Sequence, residues 1–187
     1  MTSLPEKVVA IHRALARAKV PHAIGGAVAL AYYAEPRATI DVDVNVFVPT
    51  KGWPKVREAL APLGVDVETD ESALERDGQV RLWWDENAVD LFFSYDPFHE
   101  EMKNAFRRVP FAGTTLPILA PEHLAVCKAM FDRPKDWLDI EAMLVVTEPL
   151  DLDSVESWLR RMVGAEDDRL KKLGELLKRL DLRGDGD

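Results

Sequence analysis

The chain has 187 residues, 47 % of them hydrophobic and 30 % charged. That is the length of one domain, with at most a helical appendage, and an ordinary globular balance, which excludes a disordered or collagen-like chain and two large domains. The formal net charge is −9, which argues against a surface built to hold nucleic acid along its whole length, because phosphate contacts need clustered Lys and Arg.

The charge imbalance is local. Between Val65 and Asp90 nine acids stand against Arg76 and Arg81, a net of −7; the remainder is near neutral, so a small basic patch for an RNA end stays compatible with the composition. The single cysteine, Cys127, excludes an intrachain disulfide and a multi-cysteine zinc site and points to a reducing, cytoplasmic setting. Met1 to Val9 lacks the basic start and apolar run of a signal peptide. The most apolar stretch, Ala23 to Ala34, is shorter than the roughly 18 residues that a membrane-spanning helix needs, so no membrane span is expected.

In chain order, Ser3 and Glu6 have capping-box spacing, and Val8, Ile11, Leu15 and Ala18 recur at helical intervals, predicting a helix over 3–19. Val20 to Ile24 reads as a short strand running into Gly25-Gly26, with a helix over 27–34 ended by Glu35-Pro36-Arg37. Thr39 to Val48 alternates with period two, Ile40, Val42, Val44, Val46 and Val48 on one face and Thr39, Asp41, Asp43, Asn45 and Phe47 on the other, the strongest strand signal in the chain. Trp53, Val56, Leu60 and Leu63 suggest a helix up to Gly64. Val80 to Trp84 and Val89 to Phe93 read as a hairpin around Asp85-Glu86-Asn87-Ala88. A helix over 97–108 and an extended stretch over 114–119 follow.

Beyond Pro121 the sequence reads as a helical lobe. Leu124, Cys127 and Phe131 form a stripe, and further helices are expected over 135–147, 153–163 and 166–180, the last with Leu170, Leu173, Leu177 and Leu180. The expected organisation is therefore α+β: an α/β core over 1–119 with a small mixed sheet flanked by helices, a C-terminal helical lobe over 120–181, and a flexible tail over 182–187.

Asp41 and Asp43 lie two residues apart on a strand, so both project from one face with Cα atoms about 6.6 Å apart. Two carboxylates so placed repel unless a cation neutralises them, and hard oxygen ligands favour Mg²⁺ or Mn²⁺ over zinc. A bare D-x-D also describes two solvated acids on an exposed sheet. Here Gly25-Gly26 sits just upstream, between strand and helix, where glycine lets a triphosphate approach main-chain amides. Arg37 and Thr39 immediately precede the acids.

Gly25-Gly26-Ala27 followed by Arg37-Ala38-Thr39-Ile40-Asp41-Val42-Asp43 resembles the signature of the polymerase β nucleotidyltransferase superfamily. The resemblance implies the nucleotidyltransferase fold, two aspartates holding two Mg²⁺ or Mn²⁺ ions beneath a nucleoside triphosphate, and a third carboxylate on a nearby strand. Asp90, in the otherwise apolar Val89-Asp90-Leu91-Phe92-Phe93, is the natural candidate, with Asp85 in the expected turn as rival and an edge-protecting acid as the alternative role for Asp90. Pro121-Glu122-His123-Leu124, Lys128 and Arg133-Pro134-Lys135-Asp136-Trp137-Leu138-Asp139-Ile140 resemble the C-terminal helical motif of AbiEii-type and MenT-type toxin nucleotidyltransferases. That likeness implies roles for Lys128 and for Asp136 or Asp139 at the nucleotide; Lys128 equally fits a snorkelling rim lysine, and the two acids fit local pairing with Lys135 or Arg133.

The function so implied is transfer of a nucleoside monophosphate from NTP to an acceptor, with release of pyrophosphate. Asp41, Asp43 and Asp90 would hold the metal and, with Lys128, serve catalysis, and Gly25, Gly26, Arg37, Thr39, Lys128, Asp136 and Asp139 would bind nucleotide. Resemblance to the toxins implies a tRNA or protein acceptor and an antitoxin partner. The alternatives are an antibiotic adenylyltransferase of the aminoglycoside or lincosamide kind, whose cationic substrate the acidic 65–90 segment would attract, and a nucleotide-binding module without turnover. The four histidines have no metal-ligand spacing, and Trp83-Trp84 reads as core and rim packing.

Overall fold

The computed structural model describes residues 2–146 and 150–182. Six strands and nine α-helices are formed among them: α1 Leu4–Arg17, β1 His22–Ile24, α2 Gly26–Leu30, β2 Val42–Val46, α3 Trp53–Leu60, α4 Glu71–Asp77, β3 Gln79–Trp84, β4 Asn87–Phe93, α5 Pro97–Ala105, β5 Arg107–Phe111, β6 Thr114–Ile118, α6 Pro121–Phe131, α7 Pro134–Val146, α8 Leu152–Val163 and α9 Asp168–Arg179. Short 3₁₀ turns at Thr50–Gly52 and Ala61–Leu63 flank α3. The chain divides into two units, Met1–Ala29 with Arg37–Ala120, and Leu30–Pro36 with Pro121–Asp187. The expected helix end at 147 and the expected tail beyond Leu182 fall outside the described residues. Among the described residues no helix is long and apolar enough to cross a membrane.

The first unit carries one mixed sheet in the order β3-β4-β2-β1-β6-β5. β2 runs parallel to β4, and β1 parallel to β6; the other neighbouring pairs are antiparallel. Alternation decides what each face carries. Val42, Val44 and Val46 of β2 and Val89, Leu91 and Phe93 of β4 are fully buried, so this face of the two central strands is the core. The residues between them point to the other face. Helix α1 begins as its capping box predicts, with the Ser3 amide and hydroxyl both donating to the Glu6 carboxylate (2.8 and 2.7 Å), and it buries Val8, Ile11 and Leu15.

Strand β2 forms over Val42–Val46 rather than 39–48, and two further elements differ in kind from the sequence expectation. Helix α4 forms inside the acidic segment because Asp70 caps it, accepting from the Ser72 and Ala73 amides, and Gly78 ends it in the left-handed conformation. The helix expected over 97–108 stops at Ala105, and Arg107–Phe111 becomes the edge strand β5. A two-residue turn at Ala112-Gly113, both with positive φ, folds it onto β6, and Pro110 is tolerated because β5 is at the sheet edge.

Lys7 of α1 is 1 % exposed, although it is charged. Its three ammonium protons are matched by the Trp84 carbonyl (2.7 Å), the Asp85 carboxylate (2.8 Å) and the Asn87 amide oxygen (2.8 Å), which clamp the β3–β4 turn to the helix. Nearby in sequence, His12 and His22 meet ring to ring (2.9 Å), and the other ring nitrogen of His22 reaches the Val20 carbonyl (2.8 Å).

In the second unit α6 packs on α7 and α8, and α8 on α9. The buried face of α6 is broader than the stripe read from its sequence, and Phe131 is exposed, covered by the Arg133 guanidinium 4.7 Å from its ring. Asp132, in left-handed backbone just after α6, accepts from Trp137 and from Lys172 of α9 (both 2.7 Å), tying three helical segments together.

Two stability outcomes follow from the first unit. Lys7→Met strands the buried Trp84 carbonyl and should lower the unfolding free energy by about 2 kcal/mol in urea titration, whereas Asp85→Asn, at an exposed partner, should change it by less than about 1 kcal/mol. Burial pushes the His22 imidazole down to about 4, offset in part by the Val20 carbonyl and reinforced by His12. The unfolded chain therefore takes up this proton first as pH falls, and stability should decline between about pH 6.5 and 4, by up to about 3 kcal/mol from this group. His22→Gln should flatten that slope in denaturation curves taken across the range.

Candidate functional site

The face of the sheet opposite the valine core carries the acids. Asp43 of β2 stands in register with Asp90 of β4, and Asp90 in register with Arg81 of β3. On the other side of Asp43 the Gly25 amide donates to the Asp43 carbonyl (2.9 Å), extending the β1–β2 ladder by one residue. Arg81, Asp90, Asp43 and Gly25 thus form one row across four neighbouring segments. Asp41 lies two residues before Asp43 and is half-buried, as Asp43 is.

The glycine turn lies directly over that row. Gly26 has φ +54°, and a β-carbon placed on it would run into the Asp43 carboxylate. A β-carbon on Gly25 would stand 2.9 Å from the Asn45 amide nitrogen. Both glycines are therefore required by close approach, and the second also by backbone conformation. The Gly25 amide is spent on Asp43, so it does not take part in an anion cradle. The amides that follow it belong to a helix of only five residues, shorter than the 27–34 expected, because the chain turns after Leu30.

The segment entering β2 is anchored by side chains. The Thr39 hydroxyl accepts from the Asp41 amide (3.2 Å), and the Asn87 side chain donates to the Ile40 carbonyl (2.8 Å). Asn87 also accepts from Lys7, so the helix clamp described above reaches the residue before Asp41. Arg37 is exposed in the loop upstream.

Asp90 is 14 % exposed and is gripped at both oxygens by Arg81, Nε to Oδ1 and Nη2 to Oδ2, each 2.7 Å. This hydrogen-bonded pairing, together with the charges of Asp90, Asp41 and Asp43, raises the Arg81 guanidinium further above its already high range, against a smaller opposing effect of burial. Asp85 lies instead in the hairpin turn, paired to Lys7. Among the described residues no group of three or more His, Cys, Asp or Glu side chains is gathered as a metal site. The acids that share the face offer only carboxylate oxygens, a donor set that fits a hard divalent ion such as Mg²⁺ or Mn²⁺ held by Asp41 and Asp43.

The remaining expected residues belong to the second unit. Lys128 of α6 and Asp139 of α7 are both buried and joined by a 2.6 Å ion pair. Asp136 is buried at the start of α7 and accepts from the Arg133 guanidinium (2.6 and 3.1 Å) and amide (3.2 Å). Of the residues at the acid face, Arg81, Asn87 and Asn45 went unread as site residues in the sequence. Their signal was the β3–β4 register, which hung on the turn length: a two-residue turn at Asp85-Glu86 sets Arg81 opposite Asp90, whereas a four-residue loop would have set it opposite Phe92.

Neither a protein-family model nor any curated protein sequence matches the chain. Solved structures do. The antibiotic-resistance factor ANT(2'')-Ia, in a solution structure, superposes with a TM-score of 0.61 at 14 % identity over 98 % of this chain and 100 % of that one. The lincosamide antibiotic adenylyltransferase LnuA, bound to lincomycin, gives 0.58 at 14 % identity over 79 % and 100 %. ANT(2'')-Ia in complex with adenylyl-2''-tobramycin gives 0.50 at 13 % identity over 94 % and 98 %. The chain has the nucleotidyltransferase fold, the α+β architecture expected from its sequence.

Gly26→Ala should destabilise the protein by about 2 kcal/mol, from a side chain forced into left-handed backbone and from displacement of the Asp43 carboxylate. In an Asp43→Ala background the same substitution should cost less, since the carboxylate it strikes is gone; paired urea denaturation curves measure the difference.

Proposed function

We propose that the chain is a metal-dependent nucleotidyltransferase that moves a nucleoside monophosphate from an NTP to a hydroxyl of a small, cationic acceptor. The observation that carries this reading is the fit of the glycine turn against Asp43, with Asp90 in register beside it. Strand-borne acids with a glycine turn packed against them suit a polyphosphate and its divalent ion.

In this reading Asp41 and Asp43 hold Mg²⁺ or Mn²⁺, which when bound supplies positive charge to the triphosphate and to the attacking oxygen. The acceptor oxygen attacks the α-phosphorus, its proton passes to an Asp90 oxygen that Arg81 has released, the bond from the α-phosphorus to the bridging oxygen breaks, and pyrophosphate leaves. Thr39 and Asn87 keep Asp41 in place by holding the N–H and the C=O of the peptide bond that joins it to Ile40. Arg37 offsets phosphate charge. Roles for Lys128, Asp136 and Asp139 at the nucleotide rest on the toxin-like motif alone.

A small cationic acceptor is favoured over RNA or protein by two facts. The acidic 65–90 segment runs into the β3–β4 hairpin that carries Asp90, with Asp85 and Glu86 in its turn. The similar structures include a lincosamide adenylyltransferase bound to lincomycin and ANT(2'')-Ia in complex with adenylyl-2''-tobramycin. A tRNA or protein acceptor with an antitoxin partner rests on the Lys128–Ile140 resemblance alone.

Incubation with each α-³²P-labelled NTP and Mg²⁺, offering an aminoglycoside, a lincosamide and bulk tRNA in parallel, should label a small molecule. Asp41→Asn and Asp43→Asn should each reduce labelling by about a thousandfold, with melting temperature preserved. Label on tRNA alone would overturn the acceptor assignment, and a wild-type protein that consumes no NTP with any acceptor would overturn the enzyme.

A further inference from the structure

Three acids share the face at Asp41, Asp43 and Asp90, and Arg81 is the cation built against them in the same register. Its grip on Asp90 is complete: both carboxylate oxygens are occupied by two parallel hydrogen bonds of 2.7 Å. Arg81 is held to Asp90 by strand register rather than by a loop, so the pair is preformed. A guanidinium bound in this way both lends Asp90 its counter-charge and blocks the oxygens through which Asp90 would meet a metal ion or take a proton.

We infer that Arg81 is a built-in competitor for the divalent ion at Asp90: it stands in for the ion's charge while the site is empty and is displaced when the ion arrives. The inference rests on the metal reading of Asp41 and Asp43 given above. Arg81 is a positioning residue in this scheme. It sets how much free cation is needed before Asp90 joins the other two acids, and it keeps three like charges from repelling one another when no cation is present. Lysine would not serve equally, because a single ammonium cannot occupy both carboxylate oxygens in the plane of the fork.

Calorimetric titration of nucleotide-free protein with Mn²⁺ tests this without any turnover. Arg81→Gln should bind Mn²⁺ about tenfold tighter than wild type, the effect expected from releasing both Asp90 oxygens to the ion. Placed on Asp90→Asn, the same change should yield a gain of less than about threefold. An equal affinity for Arg81→Gln and wild type, or an equal gain with and without Asp90, overturns the competition. Arg81→Lys, which keeps the charge and loses the fork, provides the second variant should the glutamine protein fail to fold; it should bind Mn²⁺ about two- to fivefold tighter, and no gain overturns the inference. Asp41→Asn separates the two readings. If it weakens binding while the Arg81 variants do nothing, the metal site stands and the competition falls; if it leaves Mn²⁺ binding unchanged, the metal site itself falls and the inference with it.

Discussion

Asp43 and Asp90 are directly opposite one another on neighbouring parallel strands, an arrangement that like charges resist. Everything around them works against that repulsion or makes use of it. On one side the Arg81 fork holds Asp90; on the other the backbone of Gly25 and Gly26 presses against Asp43 without a side chain between them. Beneath, the valines, leucine and phenylalanine of β2 and β4 are fully buried and fix the register, so the acids cannot slide apart without turning the core outward. The electrostatic tension of the face is maintained by the hydrophobic order of its reverse.

The same economy appears in how the site is braced. Lys7 lies on the first helix, yet its ammonium closes the β3–β4 turn, and Asn87 of that turn holds the carbonyl next to Asp41. A buried charge is thus connected through one side-chain amide to the loop that brings the first carboxylate to the sheet. Groups that must meet a ligand within a fraction of an ångström are best hung on rigid elements with a second layer of support, and here that layer comes from the opposite end of the sequence.

The α+β architecture, the centre of the alternating strand (Val42–Val46 of the expected 39–48) and the run of helices beyond Pro121 were legible because each follows from local periodicity. The pairing of the glycine turn with the D-x-D strand was legible as a motif, and the close approach of Gly26 to Asp43 gives it a steric reason. What escaped was set by contacts distant in sequence. Strand β5 exists because β6 pairs with it, not because Arg107–Phe111 buries a face of its own, and Pro110 and Gly113 were the only local hints. Arg81 was read as bulk charge because its partner depended on a turn two residues shorter than expected. Lys128 and Asp139, read as ligand-facing groups, are found bound to one another, an outcome that one-dimensional spacing of eleven residues across two helices does not disclose.

The two rims of the sheet have a consequence for the protein's company. On β5 the proline offers no amide and the arginines at its start carry charge, while on β3 the backbone amide of Asp66 already occupies the Trp83 carbonyl. Each margin thus carries a local obstacle to pairing with a strand from another chain.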